Sequence, residues 1–264
     1  MAFIDVLEIK VCEHCNYSCV GCGSFSNLAK REEYGIERLK KELSRIKELI
    51  GNIREVRLYG GEPFLSKELT EYTKTVREYL PNTKLVLITN GTLLYKQTEK
   101  IYAELKRDNA EIFVSYYPKN NDLIDDGIER AKSYGITVTK AQIDLFYVKM
   151  TDKKNPGDIQ SRFNKCHVMC KGAVYLDRGR VYACPYAPNF RHYDSAYNVK
   201  YEFIEDGYNI FDEHANPEDF ADKMRQPLKA CQYCSDDMLY VKWQQAKPEK
   251  ENWLCNSSNK YIID

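Results

Sequence analysis

The stretch Cys15-Asn16-Tyr17-Ser18-Cys19-Val20-Gly21-Cys22 places three thiols within eight residues, at C-x3-C-x2-C spacing. It follows directly on residues 3–11, which read as a first β-strand. A cubane iron–sulfur cluster has four irons, each needing one ligand from outside the cube. Three cysteines on one loop hold such a cube and leave one iron open to a small molecule, the arrangement of a catalytic rather than a structural metal site. Cys12 extends the run to C-x2-C-x3-C-x2-C. Zinc ribbons separate two C-x2-C knuckles by roughly 15–20 residues, so this spacing is too tight for one. The bacterial ferredoxin run closes with a proline after its last cysteine, whereas Gly23 follows Cys22.

A second motif follows. Arg54-Glu55-Val56-Arg57-Leu58-Tyr59 alternates charged and apolar residues as a strand does, then runs into Gly60-Gly61-Glu62-Pro63, 38 residues after Cys22. Glycines permit backbone approaches that other residues forbid, and Pro63 fixes the exit. The cysteine run with this GGEP segment resembles the radical S-adenosylmethionine (SAM) superfamily. The resemblance implies a [4Fe-4S] cluster on Cys15, Cys19 and Cys22 whose open iron chelates SAM and whose reduction cleaves it to a 5′-deoxyadenosyl radical. It assigns Gly60, Gly61, Glu62 and Pro63 to the SAM ammonium, and Ser115 and Asn90, at the ends of two later strands, to further SAM contact. Asn-Gly and Ser are also simple turn formers. Relatives carry an aromatic residue before the last cluster cysteine, to pack on adenine. Here that residue is Gly21, which leaves Tyr17 and Phe25 as candidates for the role.

Strands and helices alternate through the first 150 residues. Ile36, Leu39, Leu43, Ile46 and Ile50 form one apolar stripe, predicting a helix over Gly35–Ile50 with a solvated charged face. A strand is expected at 54–59, a helix at 67–79 capped by Ser66, and a buried strand at 85–89. A helix at 95–107, a strand at 111–115, a helix at 122–134 and a strand at 136–141 complete the series. Such β–α units imply a parallel sheet with right-handed crossovers. The fold class is therefore α/β, and the order is similar to the (β/α)6 partial barrel of radical SAM enzymes over residues 1–150. Ligands of such sheets sit beyond the C-terminal strand ends, where every motif above falls.

Five cysteines lie beyond the polar linker Thr151–Gly157: Cys166, Cys170, Cys184, Cys231 and Cys234. Ala173–Asp177 and Arg180–Cys184 read as a hairpin around Arg178-Gly179. Gly179-x4-Cys184 followed by a distant C-x2-C resembles the twitch or SPASM extension of the superfamily, which assigns residues 160–264 to a small hairpin-plus-helix domain holding one auxiliary [4Fe-4S] cluster. The next cysteine, Cys255, comes 21 residues after Cys234, which favours the shorter twitch. Cys184, Cys231 and Cys234 are firm ligands on this reading, with Cys166 and Cys170 competing for the fourth position. A four-cysteine zinc is the alternative.

With 39 basic and 39 acidic residues the chain carries no electrostatic footprint for nucleic acid or a membrane surface. It lacks an apolar run of the roughly 18 residues of a membrane span. Ten cysteines behind the unsignal-like start Met1-Ala2-Phe3-Ile4-Asp5 point to metal in a reducing cytoplasm. A flavodoxin- or ferredoxin-type reductant is implied by the family resemblance. Paired clusters imply a net two-electron oxidation, and twitch-bearing relatives oxidise a sugar-like secondary alcohol to a ketone. The first strand begins within about three residues, with no room before it for the leader-binding domain that peptide-modifying relatives carry. The expectation is a small, carbohydrate-like substrate. Epimerisation with Cys166, Cys170 or Cys255 as hydrogen donor, dehydration, ribosomal-peptide modification and a non-enzymatic electron-transfer role are the alternatives. Arg178, Arg191, His192, Tyr116, Tyr186 and Lys149 are the polar candidates for the cavity, with His167 between two candidate ligands.

Overall fold

A computed structural model describes residues 3–119, 121–166, 172–200 and 206–263. The chain runs β1 (Ile4–Cys12), α1 (Ile36–Leu49), β2 (Ile53–Gly60), α2 (Leu69–Tyr79), β3 (Lys84–Thr89), α3 (Glu99–Arg107), β4 (Ala110–Tyr116), α4 (Asn121–Ser133) and β5 (Val138–Gln142). It continues with β6 (Leu145–Met150), α5 (Ile159–Asn164), β7 (Ala173–Asp177), β8 (Arg180–Tyr182), α6 (Tyr186–Tyr197), β9 (Tyr208–Asn209), α7 (Pro217–Lys223), β10 (Cys234–Lys242) and β11 (Ile262–Ile263). Among the described residues no helix is long and apolar enough to cross a membrane.

The sheet order is β5-β4-β3-β2-β1-β7-β8-β9, with β1 through β5 parallel. Register partners such as Leu58 with Leu87 and Leu87 with Ile112 turn one face of the sheet toward the helices. There Leu7, Ile9, Leu87 and Val114 meet Leu39, Leu43 and Ile46 of the predicted α1 stripe, all fully buried. The helix predicted from residue 67 begins two residues later. Ser66 ends a short turn over Pro63–Leu65, and its hydroxyl accepts from the Glu68 N–H ahead of α2.

Two features lay beyond the periodic reading. The hairpin β7–β8 forms around Arg178 and Gly179, both at positive φ, but β7 also adds to β1 in parallel, pairing Val6 with Ala173. The C-terminal hairpin thus extends the main sheet. Strand β6 follows β5 after only Ile143 and Asp144. It leaves the parallel sheet to pair antiparallel with β10, and β11 completes a three-stranded sheet. Val148 of β6 and Val241 of β10 bury Val20 of the cysteine loop.

Buried charge fastens these parts. Glu13 accepts from Lys10 of β1 at 2.8 Å and from Arg191 of α6 at 2.5 Å, and lies 2.9 Å from His192. Burial alone would raise its carboxyl; His192, Lys10 and Arg191 reverse that and hold it well below the usual carboxylate range. Glu42 of α1 accepts from the Tyr34 hydroxyl at 2.8 Å and from the Gly179 N–H at 2.6 Å, tying α1 to the β7–β8 turn. Burial lifts Glu42 from 4.5 to about 7 against those hydrogen bonds.

The folded chain therefore keeps a proton on Glu42 that the unfolded chain releases above pH 4.5. The stability from this group is full below that value and is lost as pH rises toward 7. Glu42→Gln is expected to lose about 1–3 kcal/mol less stability than the parent between pH 4.5 and 8, measured by denaturant unfolding at a series of pH values. Equal losses in the two proteins would contradict the assignment.

Candidate functional site: a cysteine loop at the C-terminal strand ends

Strands β1 to β4 all deliver chain to one edge, at Cys12, Gly60, Thr89 and Tyr116. The pair Gly60-Gly61 is required by a backbone crossing there. The Gly61 N–H donates to the Cys12 carbonyl and the Glu62 N–H to the His14 carbonyl, each at 3.0 Å. A Cβ on Gly61 would lie 1.8 Å from the His14 oxygen and 2.5 Å from the Cys15 nitrogen, and one on Gly60 2.5 Å from the Cys12 oxygen. Neither glycine has positive φ, so close approach alone excludes a side chain.

Glu62 is fully buried. One carboxylate oxygen accepts from the Thr89 hydroxyl at 2.6 Å and the Phe64 N–H at 3.1 Å, and the other from the Asn90 N–H at 2.8 Å. Burial raises it to about 7 despite these donors. The carboxylate expected on the SAM ammonium thus clamps the end of β2 to that of β3, and Pro63 starts the short turn beyond it. Asn90 carries the clamp to the cysteine loop, donating to Asn16 at 2.8 Å and lying 3.8 Å from the Cys15 sulfur.

Cys15, Cys19 and Cys22 pack together with Tyr17, Tyr117, Phe146 and Trp243. Burial pushes the Cys19 thiol up to about 12, with Cys22 beside it adding to the effect. The Cys19 thiol gives up its proton only when metal takes its place, and three thiols on one loop are a donor set that fits a cluster with one open iron. Gly21, at φ +71°, faces Val148 and Val241, where a Cβ would come within 3.1 Å of the Val148 side chain. The small sheet therefore occupies the space an aromatic side chain there would need. Of the two aromatic candidates, Tyr17 lies at the loop, with its ring 6.1 Å from Tyr117. Phe25 is sunk among Tyr186, Phe190, Tyr193 and Trp253.

Tyr117 and Trp243 went unnoticed in the sequence. Their rings stack at 4.9 Å and 12°, and the indole Nε1–H donates to the Cys19 sulfur at 3.2 Å. They are 126 positions apart in the chain, one just past β4 and one just past β10, with no shared pattern to join them. Ser115 hydrogen-bonds Tyr117. Both line a cavity with Gly21, Gly23, Phe146, Tyr147 and Tyr186.

Cys166, Cys184, Cys231 and Cys234 line a second cavity, with Lys149, Arg162 and Tyr186. Backbone N–H groups of Tyr186 and Ala187, at the start of α6, reach the Cys184 sulfur. Cys170 and His167 lie outside the described residues. Cys12 is turned away, its thiol donating to the Glu62 carbonyl at 3.3 Å and pushed up to about 12 by burial. Cys255 lines neither cavity; its backbone N–H is bonded to Met150. Of the other polar candidates, Arg191 and His192 are held by Glu13, Tyr116 donates to Asp125 and Arg178 pairs with Glu32.

The Radical SAM superfamily model matches residues 9–152, more than half of the chain, and the protein belongs to that superfamily. Its cofactors are a [4Fe-4S] cluster and SAM. A GTP 3′,8-cyclase of Aliarcobacter butzleri is 26% identical over 97% of this chain and 94% of its own length. A second, of Sulfurimonas denitrificans, is 26% identical over 78% of this chain and 66% of its own. The chain spans 34–47% of the length of further GTP 3′,8-cyclases that it matches. The solved structure of BtrN in complex with AdoMet and 2-DOIA is 16% identical, with a TM-score of 0.49 over 87% of this chain and 84% of that one.

Two substitutions separate scaffold from ligand contact. Glu62→Gln is expected to cost about 1–3 kcal/mol of stability without any SAM, because an amide cannot accept from all three donors. A variant with unchanged unfolding and weakened SAM binding would instead support direct contact with the ammonium and refute the scaffold role. Gly61→Ala is expected to cost on the order of 3 kcal/mol or more and to lower the iron content after reconstitution. A normally folded, normally loaded Gly61→Ala protein would refute the crossing as the reason for glycine.

Proposed function

We propose that this member of the radical SAM superfamily oxidises a secondary alcohol of a small, neutral, hydroxyl-rich molecule to a ketone, using a second cluster as electron acceptor. The observation that carries this reading is the set of four cysteines around one cavity: Cys166, Cys184, Cys231 and Cys234. Four thiolates meet every iron of a cubane, leaving no iron for substrate to bind. When bound, the cluster on Cys15, Cys19 and Cys22 with SAM supplies hydrogen abstraction, and the auxiliary cluster accepts the second electron of the oxidation.

The protein's own groups suit that division. Lys149 and Arg162 lie near Cys234, both almost fully buried, and their charges offset the negative charge that four thiolates bring into the interior. Arg162 is fixed by Asp236 at 2.9 Å and by the Cys231 carbonyl at 3.0 Å. The cavity between the two cysteine sets has Gly21, Gly23, Ser115 and Tyr117 on the SAM side, and Tyr147 and Tyr186 toward the four cysteines. Tyr186 lines both cavities. Tyrosine faces pack on C–H surfaces while phenol and serine hydroxyls hydrogen-bond to alcohols, so the lining suits a polyol. A flavodoxin- or ferredoxin-type protein is the proposed electron source.

The second reading, cyclisation of GTP, is favoured by the names of the relatives and by the length of the Aliarcobacter match. Against it, the described residues that line this cavity include no Lys, Arg or His, and a triphosphate calls for cationic forks.

The test is anaerobic incubation of reduced, reconstituted protein with SAM and either GTP or a panel of cyclitols, aminocyclitols and hexoses. A panel member is expected to stimulate 5′-deoxyadenosine formation and to yield a product two mass units lighter, with no solvent deuterium in it. Stimulation by GTP with a cyclised product would overturn the reading in favour of the cyclase. Solvent deuterium in a product of unchanged mass would overturn it in favour of epimerisation. Reconstituted protein is expected to hold about eight irons per chain; about four, with one zinc, would remove the electron acceptor and the proposal with it.

A further inference from the structure

We infer that Trp243 is a positioning residue that sets the reduction potential of the SAM cluster through its hydrogen bond to Cys19. The inference rests on the family's cluster at Cys15, Cys19 and Cys22 and is independent of the alcohol-oxidation reading. Its basis is one contact, from indole Nε1–H to the Cys19 sulfur at 3.2 Å, made by residues 224 positions apart. Both partners are nearly buried, Trp243 at 9% and Cys19 at 7% exposure, so water is a poor substitute for the donor.

The donor is aimed rather than incidental. Trp243 follows the last strand residue of β10, and its N–H is held by the Asp144 carbonyl at 2.8 Å. Its ring is stacked on Tyr117 at 4.9 Å and flanked by Tyr17 at 5.7 Å. The backbone N–H groups of Val20 and Ala246, on either side of this contact, donate to the Gln244 and Ser18 carbonyls, each at 3.0 Å. Cys15 receives the Tyr17 backbone N–H at 3.3 Å and a longer contact from Asn90 at 3.8 Å. The indole N–H is thus closer to its sulfur than the Asn90 amide is to Cys15.

Reduction adds one negative charge to the cluster and its thiolates. A hydrogen bond to a sulfur strengthens as the sulfur becomes more negative, so it stabilises the reduced form more than the oxidised one and raises the potential. The C-terminal sheet would then do more than cover the loop. Its Trp243 makes the cluster easier to reduce, the step on which SAM cleavage depends. Burial of the same sulfur works in the opposite direction, because desolvation penalises added charge, which is why a buried donor has value at this place.

The test is an EPR-monitored redox titration of reconstituted protein and its Trp243→Phe variant, without substrate. The SAM cluster's signal is recognised by its change when SAM is added. Phenylalanine retains a stacking ring and removes the donor. The reduced-to-oxidised ratio at a fixed potential is expected to fall about tenfold, a 59 mV negative shift for a one-electron couple, at unchanged iron content. An unchanged midpoint in a fully loaded variant would overturn the inference and leave Trp243 a packing residue. Should Trp243→Phe fail to fold or to load, the same titration on protein carrying benzothienylalanine at 243, with sulfur in place of N–H, decides the matter. A negative shift there supports the inference and an unchanged midpoint overturns it.

Discussion

The crossing of two backbones at Gly61 is the constraint on which the site depends. The chain leaving β2 passes so close to the cysteine loop that a methyl group on Gly61 would overlap the His14 carbonyl. Two backbone hydrogen bonds lock the crossing, and Glu62, one residue on, anchors it to Thr89 and Asn90 at the end of β3. A loop that has to present three thiols to one small volume cannot be left to find its own conformation, since ordering each residue costs about 1–2 kcal/mol. Here the order comes from the barrel edge beneath and from the small sheet above, where Ser18 and Val20 pair with Ala246 and Gln244.

Two buried carboxylates in this region titrate in opposite directions for reasons that can be read from their neighbours. Glu62 meets only neutral donors, so desolvation prevails and its pKa rises to about 7. Glu13 meets Lys10, Arg191 and His192, and its pKa falls well below the usual range. The first clamp ties the end of β2 to that of β3 beside the cysteine loop. The charged clamp serves a different place: it joins β1 to α6, and so holds the helix that follows Cys184 by two residues against the strand that leads to Cys15.

The sequence is legible where neighbours in the chain carry the signal. Three cysteines in eight residues, the GGEP segment and the α1 stripe depend on neighbours in sequence, and the structure puts them at adjacent strand ends and on one buried helix face. Cys166 lines one cavity with Cys184, Cys231 and Cys234, while Cys170, its rival for the fourth position, lies outside the described residues. The pairing of β6 with β10, across about 90 intervening residues, was not legible because Leu145–Met150 carries no periodicity that distinguishes a barrel strand from one that leaves it. The Trp243–Cys19 contact and the Tyr117 stack were hidden for the same reason: they are created by that pairing. Glu62 shows a different limit of the sequence. The GGEP resemblance assigns it to the SAM ammonium, and the three donors around it add a scaffold role that the motif does not spell out.

The shared position of Tyr186 connects the two cysteine sets. Its phenol lies close enough to Cys22, on one side, and to Cys184 and Cys234, on the other, for all three to raise its pKa beyond what burial does. The same ring packs on Phe25, which follows the first set by three residues, and heads α6, which follows Cys184 by two. Any shift of α6 would therefore move a wall of the Ser115–Tyr117 cavity together with a cysteine of the other site. Glu13 resists such a shift through Arg191 and His192 on that helix. The distance between the two sets is thus fixed by a charged clamp at one side of α6 and an aromatic contact at its start, and a molecule lodged beside Tyr186 would face both sites at once.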